Sequence, residues 1–509
     1  MLHLLQMGFR LLVFMLVVIF ALWIYLVKRT DSGRFKVAQR TALQEGLFAS
    51  DLQMKNYRRT QGVLEISRLA AEGGGDTFFT SLEAKNIRCN MGLLDGLMGV
   101  WKPGIISIAR LDVDLRGGAD DKDSARKLAT ALFHKSDKVE ANSYEIGDAT
   151  LRWGYSESTS GRIESSSMKM QRSGKGWRVS FKGGTFSQNW LNRLEIVNIV
   201  ADCQPDGIFF EKAEMKQGIG TVDFSGLRVK AGERPEITGV AKIRNLDLEE
   251  VLPAALQSFV EGTISGDFKV FGSTNSSDGV GFEGQVVLDG KDSVALRARI
   301  HMLRALSVVD FSRNYHRVDF REGSFMLKSS HGGLELTEVK LKADELFTME
   351  GKLKVRLPTQ EEIQAALAKG AGSENSPLFA AEDDIAVARE HAKSDSYFSL
   401  KHAAQAEMGN KDKLEVADTG SLFDRLTTTI EARRLQSLES ERMSRMLRYE
   451  GSFLVSIPPD AFERAPKLKE LYPLDHNTGR IPIQIPIEGD IYEITLKQAE
   501  ETYQQGHRQ

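Results

Sequence analysis

Residues 347–357 read Phe-Thr-Met-Glu-Gly-Lys-Leu-Lys-Val-Arg-Leu. At period two, Phe347, Met349, Gly351, Leu353, Val355 and Leu357 fall on one side, and Thr348, Glu350, Lys352, Lys354 and Arg356 on the other. Only a strand separates these two sets, because successive strand side chains point to opposite faces. The alternation returns along most of the chain: Ile264, Gly266, Phe268 and Val270; Phe282, Gly284, Val286 and Leu288; Val318 and Phe320; Phe325 and Leu327; Phe453, Val455 and Ile457; Ile481, Ile483, Ile485 and Ile487. Such a chain is mainly β, and it must find cover for one long apolar face.

Further strands are predicted at 62–69, 77–87 and 105–115. From 140 to 245 they follow at short intervals: 143–153, 161–171, 175–186, 192–202, 206–216, 219–230 and 235–244. Many strands joined by short turns make an antiparallel meander. Two helices flank it, a short one before and one of about three turns after. One is Ser124–His134. The other follows Asp247, an N-cap with Glu250 three residues on and with Leu248, Val251, Leu252 and Leu256 along one side; Pro253 shortens or bends it. Residues 358–447 change character, being rich in Ala, Glu, Lys, Ser and Arg, and read as helices at Thr359–Ala368, Ala381–Ala406 and Leu422–Leu447. The last is basic, which suits a membrane-surface helix, though a solvated helix packed on the sheet rim is preferred. Strands resume afterwards, with Ile491, Ile494 and Leu496 in a final one. The division is 1–30, an anchor; 31–357, β; 358–447, a helical and partly flexible insertion; and 448–509, strands that complete the sheet.

Length allows about three ordinary domains or one elongated β structure that grows by adding strands. Lys and Arg number 67 against 70 Asp and Glu, for a net charge of −3. That balance gives no support to nucleic acid as a partner. Cys89 and Cys203 lie far apart and form no CxxC. In an oxidising compartment they could pair; two unpaired small hydrophobes is the preferred reading.

Leu11–Val27 holds 17 residues without a charge. As a helix it spans about 26 Å, enough for a bilayer core with its flanks. Trp23 and Tyr25 sit where aromatic belts lie, and the run passes directly into Lys28-Arg29 without a small-residue cleavage site, so an uncleaved single-pass anchor is predicted. Lys28, Arg29, Arg34, Lys36 and Arg40 follow the segment, while only Arg10 and the terminal amine precede it. The positive-inside rule then puts the body in the cytoplasm.

No catalytic signature holds. Gly284–Asp292 has five residues between its glycines where a phosphate loop needs four, and Asp292 replaces the required Ser or Thr. Gly154-Tyr-Ser-Glu-Ser158 fails as a nucleophile elbow at its last position. His301, His316 and His331 are evenly spaced but fall on different strands or turns, so no metal site is assigned. No catalytic residue and no cofactor are assigned, and the chain is not read as an enzyme.

An apolar face can be covered by a second sheet, by helices, or by something other than protein. Few helices are predicted across 140–357. The chain also starts at a membrane, where lipid tails are at hand. Phe268, Val270, Phe282, Val286, Phe347, Met349, Leu353, Val355, Ile483 and Ile485 are therefore candidate lipid contacts, with Gly351 the place where the sheet bends.

The stretches Asp247–Leu252, Val260-Glu-Gly-Thr-Ile-Ser-Gly-Asp-Phe-Lys-Val-Phe-Gly272, Phe282-Glu-Gly-Gln-Val-Val-Leu-Asp-Gly290, Leu334–Leu357 and Gly479-Arg-Ile-Pro-Ile-Gln-Ile-Pro-Ile-Glu-Gly489 resemble the AsmA-like family of bacterial envelope proteins, which includes TamB-type members. The resemblance covers 245–357 and 449–500 well and 1–115 loosely. It implies a long curved antiparallel sheet forming a β-groove, anchored in the inner membrane and projecting into the periplasm. It also implies binding or transfer of phospholipid or another lipid in support of outer-membrane biogenesis. That location opposes the charge count, and the family is followed, since the charge rule is a bias that a large domain can override. The chain is short for a full bridge between membranes, and the insertion has no counterpart in the pattern. The alternative is an anchored assembly factor that binds other envelope proteins through sheet edges or the insertion.

Overall fold

A computed structural model describes residues 15–25, 28–29, 32–60, 62–92, 102–116, 123–134, 139, 141–156, 159–188, 191–232, 235–252, 259–273, 280–297, 303, 305–307, 310, 313–330, 333–359, 361–362, 364, 447–463 and 465–489. The predicted helices 381–406 and 422–447 and the predicted strand at 491–496 lie outside these residues. The protein is mainly β.

Among the described residues, twenty-one strands join in one sheet. They are β1 (Ala49–Lys55), β2 (Arg58–Thr60), β3 (Val63–Gly73), β4 (Phe79–Asn90), β5 (Ile105–Leu115), β6 (Ser143–Ser156), β7 (Thr159–Ser173), β8 (Gly176–Lys182), β9 (Thr185–Gln188), β10 (Leu191–Gln204) and β11 (Gly207–Gln217). Then follow β12 (Gly220–Asp223), β13 (Arg228–Lys230), β14 (Glu236–Asp247), β15 (Val260–Gly272), β16 (Val280–Arg297), β17 (Arg317–Ser330), β18 (Gly333–Ala343), β19 (Phe347–Arg356), β20 (Arg448–Ile457) and β21 (Ile481–Gly489). Successive strands pair along the chain apart from three places where two strands share a rung, and every pairing is antiparallel except β5 with β6. Three rungs hold two strands each: β1 with β2 against β3, β8 with β9 between β7 and β10, and β12 with β13 between β11 and β14. Eighteen rungs result, and they extend roughly 80 Å along the hydrogen-bonding direction.

The predicted strands 175–186 and 219–230 are each broken in two. Gly183 and Gly184 hold φ of 69° and 73° between β8 and β9, and Gly226 holds 90° between β12 and β13. The other breaks in register fall at bulges. Ser165, Arg193, Asn245 and Glu338 hold φ of 49–52°, each at a register shift with a neighbouring strand. Bulges bend a strand and increase its local right-handed twist. One shift lies between the pairs Leu336–Leu353 and Val339–Gly351, beside the glycine expected to mark a bend.

Glycine has a second use here. Phe268 lies over Gly266 and Gly284, Phe271 over Gly281, and Phe453 over Gly351. A ring can lie flat on a pleated sheet only where the facing residue lacks a Cβ. Phe268 is fully buried and meets Phe282 edge to face at 5.7 Å. Such a ring contributes about 1.5–3 kcal/mol by burial.

The outer face is charged. Across β16 to β20, Glu283, Lys328, Glu335, Lys354 and Glu450 stand opposite one another in turn, with alternating sign. Lys328–Glu283 and Lys354–Glu335 approach to 3.6 Å. At the end of the sheet β21 carries Pro482 and Pro486. Neither has an N–H, so Ile481, Ile483, Ile485 and Ile487 must supply the donors to β20.

Among the described residues the helices beside the sheet include α1 (Gly33–Gly46), α2 (Ser124–Phe133), α3 (Leu248–Val251) and α4 (Pro466–Leu471). Ser32 caps α1 through the Phe35 N–H, and Asp247 caps α3 through the Glu249 N–H, so Asp247 acts as its sequence indicated. The expected transmembrane helix is not found: among the described residues no helix is long and apolar enough to cross a membrane. Residues 15–25 are helical with exposed apolar side chains. That run is about 16 Å long, against roughly 30 Å of bilayer core. Residues 11–14 and 26–27 of the expected span lie outside the described ones.

A Cβ added at Gly284 would stand 2.6 Å from Phe268 Cδ1 and 2.6 Å from the Asp267 carbonyl oxygen. Gly284→Ala is therefore expected to destabilise by about 1–3 kcal/mol in chemical denaturation. Gly75→Ala, where nothing lies within 4 Å, should stay within about 0.5 kcal/mol of the parent.

Candidate functional site

The inner face is a continuous apolar lining. One cluster gathers Leu52, Leu64, Ile66, Phe79 and their neighbours from the first rungs. A second runs from Ile146 to Ile485. Ile108, Leu111, Tyr144 and Leu151 pack against both, so no polar gap divides them.

Of the ten residues expected to contact lipid, Phe268, Val270, Val286, Phe347, Met349, Val355 and Ile485 are buried, while Phe282, Leu353 and Ile483 are half-buried. All but Val355 belong to the second cluster. Val355 packs with Leu447 and Tyr449, and Leu252, Leu334, Leu353 and Ile487 touch this group too.

The lining is not bare. The few helices predicted do not cover it by themselves; the connections between strands do. The crossover from β5 to β6 brings α2 to Trp177, whose Nε1 donates to the Leu132 carbonyl at 2.7 Å, while Val139 and Ala141 join the first cluster. Arg172 stacks on the same indole at 4.1 Å. The short α3 lies against β10 as well as β14 and β15, and Leu252 after it reaches the Val355 group.

Two longer connections leave the same lip of the sheet, after β16 and after β20. Leu303, Leu306 and Tyr315 from one, with Phe462 and Leu468 from the other, are at most 3 % exposed within the second cluster. Beneath them Val318, Phe320, Phe347, Val455 and Ile457 are sealed. Toward the opposite lip Phe325, Leu334, Leu336, Leu353 and Ile487 are only half-buried.

The covering residues were missed from sequence because they lie in connections. Phe462 and Leu468 carried a signal, as large apolar side chains in a long inter-strand segment punctuated by Pro458, Pro459, Pro466 and Pro473. Surface loops rarely have such residues to bury.

Residues 357–447 leave and re-enter the sheet at one place, since Arg356 stands directly opposite Arg448. Two like charges face each other there, and Glu362 resolves the conflict. It accepts from Arg356 at 2.8 and 2.9 Å and approaches Arg448 to 3.7 Å. The Thr359 N–H donates to Glu362 and the Thr359 hydroxyl accepts from the Glu362 N–H, which is a capping box. The Arg356 hydrogen bonds, helped by Thr359, hold the Glu362 carboxyl down at about 2.

Cys89 and Cys203 are unbridged and buried in separate clusters. Burial pushes the Cys89 thiol up to about 12 and, with Asp202 adding to it, the Cys203 thiol up to about 11. Among the described residues no group of three His, Cys, Asp or Glu is placed to hold a metal ion. Comparison with family models, with curated proteins and with solved structures finds no match.

Two outcomes are expected. Neither cysteine should react with a thiol reagent in the native protein, and both should react in guanidinium. The contribution of Glu362, about 1 kcal/mol on the scale of partly exposed ion pairs, is present above its unfolded value near 4.5 and is lost as pH falls toward about 2. Protection of the 355–362 segment, taken as its exchange relative to the intrinsic amide rate at each pH, should therefore fall across that window in the parent and change little in Glu362→Gln.

Proposed function

We propose that this chain is an envelope protein, anchored at the bacterial inner membrane by its N-terminal apolar segment with the bulk of the chain in the periplasm, that takes up phospholipid or another lipid along the inner face of its sheet. The reading follows the resemblance to the AsmA-like family, and one observation carries it: the apolar lining is unbroken from the first rungs to the last. A sandwich or bundle divides its apolar surface among opposed layers. Here one face of one sheet holds it, along a path far longer than a lipid tail.

Energetics decide how the lining can be used. Each methylene transferred from water contributes about 0.8 kcal/mol, so a palmitoyl-length tail contributes roughly 12 kcal/mol. Lifting Phe462 and Leu468 out of the core costs about 1.5–3 kcal/mol each. A tail can thus replace its coverings. A tail arriving from a bilayer is already out of water, however, so the exchange between membrane and protein is close to neutral. The head group and the covers then set the balance.

The alternative is an assembly factor that grips other envelope proteins. The clamp of Arg356, Glu362 and Arg448 fixes the root of the insertion on one lip, which favours the insertion over the sheet edge for that role. Loss of partner capture on deleting 358–447, with lipid binding intact, would favour it.

Full-length protein extracted in mild detergent should carry phospholipid detectable by mass spectrometry. Leu353→Glu, at a half-buried position, should fold and carry several-fold less lipid. Phe268→Glu should not fold, since its carboxylate would be stranded in a dry core. A Leu353→Glu protein that folds and retains its full lipid load would sink the proposal.

A further inference from the structure

The cover formed by residues 458–480 has a neck and, on its far side, a fastening. Its neck is the Ile457–Ile481 pair, which closes the ladder between β20 and β21 beneath it. Its far side is held by Arg313, in the connection before β17. Arg313 Nη2 donates to both oxygens of Asp460 at 2.8 and 2.9 Å. Its Nη1 donates to Asp310 Oδ2 at 3.0 Å, and the same oxygen accepts from the Tyr315 hydroxyl at 2.7 Å.

The two carboxylates differ in kind. Asp310 is 3 % exposed and Tyr315 is fully buried. Burial, with the bond to Asp310, holds the Tyr315 hydroxyl protonated far above its ordinary range. Asp460 has 48 % of its side chain in solvent. Arg313 therefore has a permanent inner partner that sets its plane and a wet outer partner that can be exchanged. Asp460 offers the guanidinium two oxygens in one plane, and a phosphate or a carboxylate offers the same. Phe462, two residues from Asp460, plugs the lining where Val318, Phe320 and Phe347 are sealed.

We propose that Arg313 is a docking site for the phosphate or carboxylate head of an amphiphile, and that Asp460 occupies this site in the resting protein. An arriving head group displaces Asp460, the 458–480 cover lifts about its neck without breaking the β20–β21 ladder, and the tail takes the place of Phe462. This deepens the lipid-binding reading above and rests on it.

The test uses full-length protein with three probes: oleate below its critical micelle concentration, oleyl alcohol, and inorganic phosphate. Hydrogen exchange is followed across 461–472, and binding of each probe is measured. Asp460→Asn should speed exchange there without any ligand and tighten oleate binding, each on the order of tenfold. Arg313→Lys keeps a charge beside Asp310 but has one nitrogen where Nη1 and Nη2 serve the inner and outer anions separately, and should bind oleate no better than the alcohol. Phosphate alone should leave the cover closed. Unchanged exchange in Asp460→Asn overturns the fastening. Oleate binding unaffected by Arg313→Lys overturns the head-group site while lipid binding stands; opening by phosphate as effective as by oleate overturns the replacement of Phe462 by the tail. No binding of oleate or alcohol by any variant overturns both.

Discussion

One constraint governs this molecule: a sheet with one apolar face cannot leave that face in water. Eighteen rungs multiply the demand, because each adds lining and none adds a second layer. The protein meets it through its connections, while bulges such as those at Asn245 and Glu338 bend and twist individual strands. The connections at the lips then fold inward with their own apolar residues, Leu252, Leu303, Tyr315, Phe462 and Leu468 among them. Burial is thus shared between a rigid ladder of backbone hydrogen bonds and segments held mainly by side chains. The two respond differently to perturbation, since disturbing a ladder breaks many bonds at once and lifting a connection breaks few.

The division between faces shapes the chemistry as well. Charged groups are almost confined to the outer face, where Glu283, Lys328, Glu335, Lys354 and Glu450 alternate across successive strands. Such exposed pairs contribute little each, yet they give every strand a partner of matching sign and so help fix register. On the inside the same task falls to shape. Phe268 fits only where Gly266 and Gly284 leave room, and Phe453 only over Gly351. A slip by one residue would place a ring against a Cβ and a charge in the lining.

The rungs were legible in the sequence because alternation is a local property. The predicted strands between 143 and 244 correspond to β6 through β14, and Asp247 announced its cap by residue type alone. The breaks within 175–186 and 219–230 were not foreseen, although Gly183-Gly184 and Gly226 stood in view; a glycine marks a place where a strand can turn aside, not whether it does. The covers were marked only by large apolar residues such as Phe462 and Leu468 in a long connection. Whether Phe462 reaches the lining depends on where β17 lies relative to β20, which is a tertiary fact. For the same reason the ten proposed lipid contacts could be placed on one face, but their burial could not be foretold. The apolar run near the N-terminus was plain in the sequence, and the described helical part of it, 15–25, is shorter than a bilayer core.

Pro482 and Pro486 in the last strand bear on how such a sheet relates to other molecules. With Ile481, Ile483, Ile485 and Ile487 turned to β20, the residues whose backbone looks away from the sheet include two that have no hydrogen to offer. A foreign strand laid along that side would find Gln484 and little else between them. Strand pairing along that side of β21 would therefore lack two of its donors, which blunts an edge that would otherwise be a template for another strand.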